Sequence, residues 1–279
     1  MTDDALHHVE ANGLRFAYLE QGEGPLVLLL HGFPDTPHTW DAARPALAAD
    51  GFRVVCPFMR GYPPTEAPAT DDYDADTLGR DVLALVEALG EERAIVVGHD
   101  WGASATYSAA GLGPQRLRAI VTVAVPHPAA MRPSPRLLWA LRHFFTLSRR
   151  GVAGRIRRDE LRMIDTLVRR WSPGWDVPPA ETEAAKQVLG RPGALEAALG
   201  YYRCLSPRPP PGQRRPVTVP AAAFAGTDDI IPPELFERAR VRYRDRYEVV
   251  RVPGSHFMHR QHPEPFVREL RRVTQELSA

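Results

Sequence analysis

The sequence predicts an α/β fold, with a mostly parallel, doubly wound sheet and a helical segment inserted late in the chain. Two observations support this prediction. Short apolar runs rich in β-branched residues alternate with helical patterns along the 279 residues, which is typical of strands buried on both faces of a parallel sheet. Between about residues 128 and 215, only helical patterns remain.

The first element predicted is a hairpin, because Asn12-Gly13 lies between two alternating segments and readily takes the positive φ values of a tight turn. Residues 76–89 place apolar side chains on one helical face, and Gly90 follows as a stop signal, so a helix is predicted there. The apolar runs that predict six further strands cover residues 26–30, 53–56, 94–97, 119–125, 217–224 and 247–252.

The inserted segment separates the sixth predicted strand from the seventh. Its helical patterns cover residues 137–147, 160–171, 181–189 and 194–204. We therefore predict a core formed by residues 1–127 and 216–279, and a helical cap formed by residues 128–215. The alternative is a helical subdomain that takes no part in a site.

Composition and charge limit the functions open to the chain. Charged residues make up 25% of it, and the net charge of +1 gives no electrostatic reason to expect nucleic acid or a membrane surface as a partner. Cys56 and Cys204 lie outside any metal or redox spacing, and residues 1–10 lack the apolar centre of a signal peptide. We expect a cytoplasmic protein, monomeric or homodimeric.

The clearest chemical motif is Gly98-His99-Asp100-Trp101-Gly102, which follows a β-branched run and precedes an Ala-rich helix. This strand–turn–helix context is that of a nucleophile elbow. A carboxylate at the start of a helix is favoured electrostatically, and it can attack a saturated carbon to form an ester with the enzyme. The alternative interpretation of Asp100 is a simple helix cap.

A second motif, His31-Gly32-Phe33-Pro34, follows the first strong strand. Its turn can direct the Phe33 amide at the site, where the Trp101 amide would complete a two-donor oxyanion hole. A turn imidazole often holds a loop by hydrogen bonds, so we expect a structural role for His31.

Two late loops supply a candidate acid and a candidate base. Gly226-Thr227-Asp228-Asp229 offers either aspartate to orient a histidine, or simply a loop of helix-capping carboxylates. Gly254-Ser255-His256-Phe257 offers His256 as the base. His259 and His262 are expected to lie at the surface, or to contact the site residues without touching the substrate. The order nucleophile, acid, histidine agrees with the fold.

Together these motifs resemble the epoxide hydrolase branch of the α/β-hydrolases, over essentially the whole chain. The first two look like that branch's oxyanion motif and nucleophile elbow. Gly226-x-x-Asp229 looks like its acid loop and favours Asp229 over Asp228, and Gly254-x-His256-Phe257 looks like its histidine loop. The resemblance implies an α/β-hydrolase fold, a triad of Asp100, Asp229 and His256, and no metal or organic cofactor.

The same family uses two cap residues, typically tyrosines, to donate hydrogen bonds to the epoxide oxygen. The segment 198–203, Ala-Leu-Gly-Tyr-Tyr-Arg, resembles the family's Leu-Asn-Trp-Tyr-Arg and assigns this role to Tyr202. The chain departs from the family at the second donor, because Tyr201 is adjacent and should point elsewhere. His143 falls about where the other tyrosine is expected, so we take it as the second donor. The alternative for both residues is a structural place in the cap.

The resemblance implies hydrolysis of a small apolar epoxide by water through an ester on Asp100. A dehalogenase is the nearest rival, because it shares the triad, but Phe33, Trp101 and Tyr202 favour an epoxide. A non-catalytic binding protein would not need the full triad, and an aspartate cannot form the acyl-serine of a carboxylesterase. The further residues expected to line the pocket are His31, Pro34, Trp139 and Phe144.

Overall fold

The chain folds around an eight-stranded sheet, seen in a computed structural model that describes residues 5–131 and 134–278. Its strands are β1 (Leu6–Ala11), β2 (Leu14–Gln21), β3 (Leu26–Leu30), β4 (Arg53–Pro57), β5 (Ala94–His99), β6 (Leu117–Val123), β7 (Ala221–Gly226) and β8 (Tyr247–Val252). Across the sheet they are ordered β1-β2-β4-β3-β5-β6-β7-β8. The pairs β1–β2 and β2–β4 are antiparallel, and all other neighbours are parallel.

The helices fall into two groups. Those that flank the sheet are α1 (Ala43–Ala49), α2 (Ala75–Ala88), α3 (Trp101–Leu112), α11 (Glu234–Arg238), α12 (Met258–Gln261) and α13 (Pro263–Ser278). Those between β6 and β7 are α4 (Pro135–Ala140), α5 (His143–Leu147), α6 (Val152–Arg158), α7 (Arg162–Trp171), α8 (Ala180–Leu189), α9 (Ala194–Arg203) and α10 (Pro211–Arg214). Within the described residues, no helix is long and apolar enough to cross a membrane.

The two faces of the sheet bury different side chains, as the predicted doubly wound architecture requires. Leu26, Leu28 and Leu30 of β3 pack in a core with α2 and α3, whereas Val27 and Leu29 pack on the other face with α1 and α13. This alternation follows from the two-residue period of a strand. It confirms that the central strands are buried on both faces.

The fold follows the prediction closely, and the differences have local causes. The hairpin turns at Asn12 and Gly13, whose φ values are 45° and 76°. Val217 lies outside β7 and forms only an isolated bridge to Tyr243. The single helix predicted over residues 137–147 is divided into α4 and α5, and α6 was not predicted at all. The division into core and cap also takes in residues outside the described ranges, and it stays a prediction.

The parallel strands determine where a site can form. Because β3, β5, β7 and β8 run in the same direction, the loops that follow them meet at one edge of the sheet. These four loops contain Phe33, Asp100, Asp229 and His256.

Candidate active site

Asp100 lies between β5 and α3 in a strained backbone conformation, with φ 52° and ψ −113°. Such a conformation costs a non-glycine residue roughly 1–3 kcal/mol, so the surroundings must hold it in place. Gly102 allows the close packing that does so, because a Cβ at this position would lie 2.5 Å from the carbonyl oxygen of Leu30. Helix α3 can therefore begin directly against β3, with the Asp100 carboxylate raised above the sheet edge.

The two oxygens of the Asp100 carboxylate have different environments. The Phe33 amide donates a hydrogen bond of 2.9 Å to Oδ1. The other oxygen, Oδ2, lies 3.4 Å from Nε2 of His256. A Cβ on Gly32 would lie 2.4 Å from Oδ1, so this glycine leaves space for the carboxylate. Among the described residues the Trp101 amide makes no hydrogen bond to Asp100, so one of the two expected oxyanion donors is engaged.

His256 lies between two carboxylates. Its Nδ1 is 3.7 Å from Oδ2 of Asp229, whose side chain is completely buried and whose Oδ1 accepts a hydrogen bond of 3.1 Å from the Ile231 amide. Asp228 is exposed instead, and its carboxylate accepts from the Gly254 amide at 3.3 Å. The structure thus places Asp229, and not Asp228, beside His256.

Electrostatics of the buried pair of Asp100 and His256 favour the ionised forms. Burial opposes a charge on His256, but attraction from the carboxylates of Asp100 and Asp229 beside its ring outweighs burial and raises the pKa of His256 to about 10. Burial likewise opposes a charge on Asp100, but His256 and the Phe33 amide hold the pKa of that carboxyl below its ordinary value. These shifts favour the imidazolium form of His256 beside an ionised Asp100 at neutral pH.

Tyr202, on α9, packs against Phe33 and Trp101, the two residues whose amides are the expected oxyanion donors. Its ring is 5.3 Å from that of Phe33 and 5.2 Å from the Trp101 ring, both in edge-on contacts. Burial, followed by the charge of Asp100, raises the pKa of its phenol well above the ordinary value, so it stays protonated as a hydrogen-bond donor. The neighbouring Tyr201 points away, as expected, and donates a hydrogen bond of 2.8 Å to the carbonyl of Arg60.

His143, on α5, lies on the same side of the site. Its ring centre is 6.2 Å from that of Tyr202, and the ring of Phe144 packs against both residues. Burial lowers the pKa of His143 to about 4, so its imidazole is neutral. Its Nδ1 is buried without a hydrogen-bond partner among the described residues. A neutral imidazole retains one N–H and can still donate a hydrogen bond.

Of the residues expected to line the pocket, Trp139 lies at the surface, and His31 and Pro34 are buried in the loop after β3. Trp139 does not line the site: it is 63% exposed and stacks against the Arg142 guanidinium at 3.9 Å. His31 is fully buried and has no free ring nitrogen, because Nδ1 donates to the Gly32 carbonyl and Nε2 accepts from the Met59 amide. Pro34 is buried in the same loop and follows Phe33 through a cis peptide bond.

Sequence reasoning missed two residues that hold His256. Trp171, the last residue of α7, accepts a hydrogen bond from the His256 amide at 3.2 Å, and its ring lies 5.6 Å from the imidazole. His99 donates from Nε2 to the His256 carbonyl at 2.9 Å. His99 belongs to the elbow motif itself, which was a usable signal, whereas nothing in the sequence distinguished Trp171.

One buried group could in principle hold a cation. Potential ligand atoms of Asp35, His99 and His259 all lie within 4.8 Å of one another. However, Asp35 already pairs with the Arg260 guanidinium at 3.3 Å, and this cation beside the group disfavours a second positive charge. The proposed chemistry uses no cation at this group.

Comparison with known proteins places the chain in a large family. Residues 25–263 match the α/β hydrolase fold family. The AB hydrolase superfamily protein YfhM of Bacillus subtilis is 31% identical over 211 residues, which cover 71% of this chain and 72% of that protein.

Two further relatives are named as epoxide hydrolases. An epoxide hydrolase of Caballeronia sordidicola is 40% identical over 121 residues, but these cover only 43% of this chain and 37% of that protein. The crystal structure of epoxide hydrolase VrEH1 from Vigna radiata superposes with a TM-score of 0.81 over 98% of this chain and 99% of that one. At 24% identity, this second likeness concerns the fold alone.

Proposed function

From the premise that the chain belongs to the α/β-hydrolase fold family, we propose that it is an epoxide hydrolase that opens an epoxide to a vicinal diol. One observation carries the proposal: a carboxylate, Asp100, occupies the elbow between β5 and α3, with one oxygen held by an amide and the other facing His256. The similarity to the epoxide hydrolase of Caballeronia sordidicola, which covers 43% of this chain, supports the same activity.

In the first step, Oδ2 of Asp100 attacks an epoxide carbon and the C–O bond of the ring breaks. Oδ1 becomes the carbonyl oxygen of the ester, because the Phe33 amide holds it by a hydrogen bond. Tyr202 donates a hydrogen bond and then a proton to the departing oxygen, with His143 as the second donor. A donor there contributes typically 10²- to 10⁴-fold to the rate. The raised pKa of Tyr202 makes its phenolate unfavourable, so it regains a proton through solvent.

In the second step, His256 acts as a base. Ester formation removes the negative charge of Asp100, which is one of the two carboxylates that raise the pKa of His256 to about 10. The imidazolium then loses its proton, which replaces the one that Tyr202 gave to the product. Neutral His256, oriented by Asp229, takes a proton from water, and the hydroxide attacks the ester carbonyl. The Phe33 and Trp101 amides stabilise the oxyanion. When it collapses, the bond between the former ester carbonyl carbon and the diol oxygen breaks, and that oxygen takes the remaining proton of the attacking hydroxide. The diol leaves, with Asp100 again a carboxylate and His256 again an imidazolium.

The helices from residue 128 to 215 act as a cap in this proposal. They supply Tyr202, His143 and Phe144, and together with Trp171 they cover the Asp100 carboxylate, whose side chain is only 17% exposed. A covered, apolar site suits a small apolar epoxide and keeps bulk water away from the first step. The proposal requires no metal or organic cofactor.

The test is a single turnover in water labelled with oxygen-18, with enzyme in excess over each of a panel of apolar epoxides. The scheme transfers an oxygen of Asp100 to the first diol and puts the label from water into the carboxylate. We therefore expect an unlabelled first diol and a mass increase in the peptide that contains Asp100. A labelled first diol would mean direct attack by water, and no diol from any epoxide would refute the proposed activity.

Dehalogenation is the second candidate, and one observation favours it. The indole nitrogen of Trp171 is buried without a hydrogen-bond partner among the described residues, and an unpaired N–H can bind a halide. The Tyr202 phenol, however, packs edge-on against the Trp101 ring at 5.2 Å between ring centres, and its O–H is the kind of donor that a departing epoxide oxygen needs. Halide release from small haloalkanes or haloacids, without diol formation from any epoxide, would establish this alternative.

A further inference from the structure

The segment from Ser134 to Arg150 has two apolar faces, and only one is covered. Leu137, Ala140, His143 and Leu147 face inward and are buried. On the opposite side, Leu138, Trp139 and Phe145 are 53%, 63% and 64% exposed. Leu138 and Trp139 lie on α4 and Phe145 lies on α5, and we name these three residues, with Arg142 and Arg149, the outer ridge.

The surroundings of the outer ridge are strongly basic. Residues 134–171 contain ten arginines and three acidic residues, a net charge of +7 in a chain whose total is +1. Of these arginines, Arg157 pairs with Glu196 and Arg162 with Glu160. Within the described ranges, Arg142, Arg149 and Arg170 have no carboxylate partner. The net charge of the whole chain therefore hides a local excess of positive charge.

Two of these arginines are held close together around Trp139. The Arg142 guanidinium lies 3.9 Å from the Trp139 ring centre, and that of Arg170 lies 6.0 Å from it. Both donate to the Trp139 carbonyl, at 2.7 Å and 3.3 Å. Burial, followed by repulsion from Arg142, lowers the pKa of Arg170. An anion beside this pair would relieve the repulsion.

We propose that the outer ridge binds the surface of an anionic phospholipid bilayer. Protein surfaces that lie in the headgroup region of a membrane combine tryptophan, phenylalanine and leucine with basic residues, as the outer ridge does. The apolar side chains enter the acyl boundary, and the guanidinium groups meet lipid phosphates. These side chains project outward, so they fit a soft lipid surface better than a folded partner, which would need a complementary groove. The contact is peripheral.

The position of the outer ridge gives the contact a use. The inner face of the same segment supplies His143 and Phe144, which lie beside Tyr202. Membrane binding would place this side of the molecule against the phase in which apolar epoxides concentrate. Binding to lipid itself does not depend on the proposed activity, so the two can fail separately.

The experiment measures co-sedimentation of the full chain with vesicles of phosphatidylcholine alone, or with phosphatidylglycerol added. We expect binding only to the anionic vesicles, and a steep loss with salt, because the screening length falls from about 10 Å at 0.1 M to about 3 Å at 1 M. A double variant, Phe145→Ala with Arg149→Glu, should weaken binding by about tenfold or more.

The matched control is Val241→Ala with Arg244→Glu, which also truncates an exposed apolar residue and reverses an exposed arginine. It should bind like the wild type, and circular dichroism should show both variants folded. Equal binding to neutral vesicles, or equal losses in both double variants, would overturn the proposal. So would light scattering that shows a dimer dissociated by the ridge variant, because a second copy of the chain would then cover the ridge.

Discussion

The two sides of the site are built in different ways. The sheet side takes Asp100, Asp229 and His256 from loops after parallel strands, so the strand order brings them to one edge. The side that we name the cap side, after the cap of the proposed function, takes His143 and Tyr202 from two helices of the inserted segment, α5 and α9, and packing between these helices sets their distance. We therefore expect sheet-side variants to affect hydrolysis of the ester and cap-side variants to affect its formation.

The largest effect should come from Asp229→Asn. The variant keeps an oxygen for the Ile231 amide but removes the negative charge beside His256. The pKa of His256 therefore falls, and the imidazole loses the group that orients it. We expect turnover to drop by about 10⁴-fold, with the ester accumulating in intact-mass spectra. Asp228→Asn is the control, since Asp228 is exposed and does not face His256; a comparable loss there would contradict the assignment.

Next in size is Tyr202→Phe, on the cap side. Without the phenol, the ring oxygen departs without a proton donor, so ester formation should slow on the order of 10³-fold in a single-turnover experiment. Tyr201→Phe removes a hydroxyl bound to the Arg60 carbonyl and should lower stability while sparing this rate. Slowed ester hydrolysis in the Tyr202 variant would break the distinction between the two sides.

Gly32→Ala should have a smaller effect on the rate. Its Cβ would lie 2.4 Å from both Cβ and Oδ1 of Asp100, so the carboxylate must shift away from the Phe33 amide. We expect about a 10²-fold loss of kcat, because moving a reacting group by about 1 Å lowers the rate by about this factor. A crystal structure of the variant with the carboxylate unmoved would count against this reason.

The pH dependence of stability tests the sheet side without substrate. His256 has a pKa of about 10 in the folded chain and an ordinary value of 6.5 when unfolded. Its contribution is fully present below pH 6.5 and is lost as the pH rises towards 10, because the unfolded chain has already released the proton. Urea unfolding across this range should show the decline, and His256→Gln should flatten it.

The smallest effect belongs to the cap and is stabilising. Gly154 lies inside α6, and a Cβ there meets only the end of the Arg158 side chain, at 3.9 Å. Gly154→Ala should therefore raise the free energy of unfolding by about 0.5–1 kcal/mol through helix propensity. Thermal unfolding measures it, and activity should stay unchanged because α6 supplies no residue to the site.

Much of the sheet side could be predicted because its signals are local. A few consecutive residues are enough to predict the hairpin at Asn12-Gly13, the strand before Asp100 and the strand before His256. Helix boundaries in the inserted segment are harder to predict, since α6 directly follows Gly151 and itself contains Gly154 and three arginines. Weak local propensity was overruled there by packing against α9.

By itself, the sequence determined the fold class, the strands that matter and the chain order of nucleophile, acid and histidine. Each of these depends on periodicity or on a turn within one short segment. Only the tertiary structure decided that Trp139 points outward and that Trp171 holds His256. The physical reason is that each of these outcomes depends on contacts between residues far apart in the chain, which no local pattern encodes.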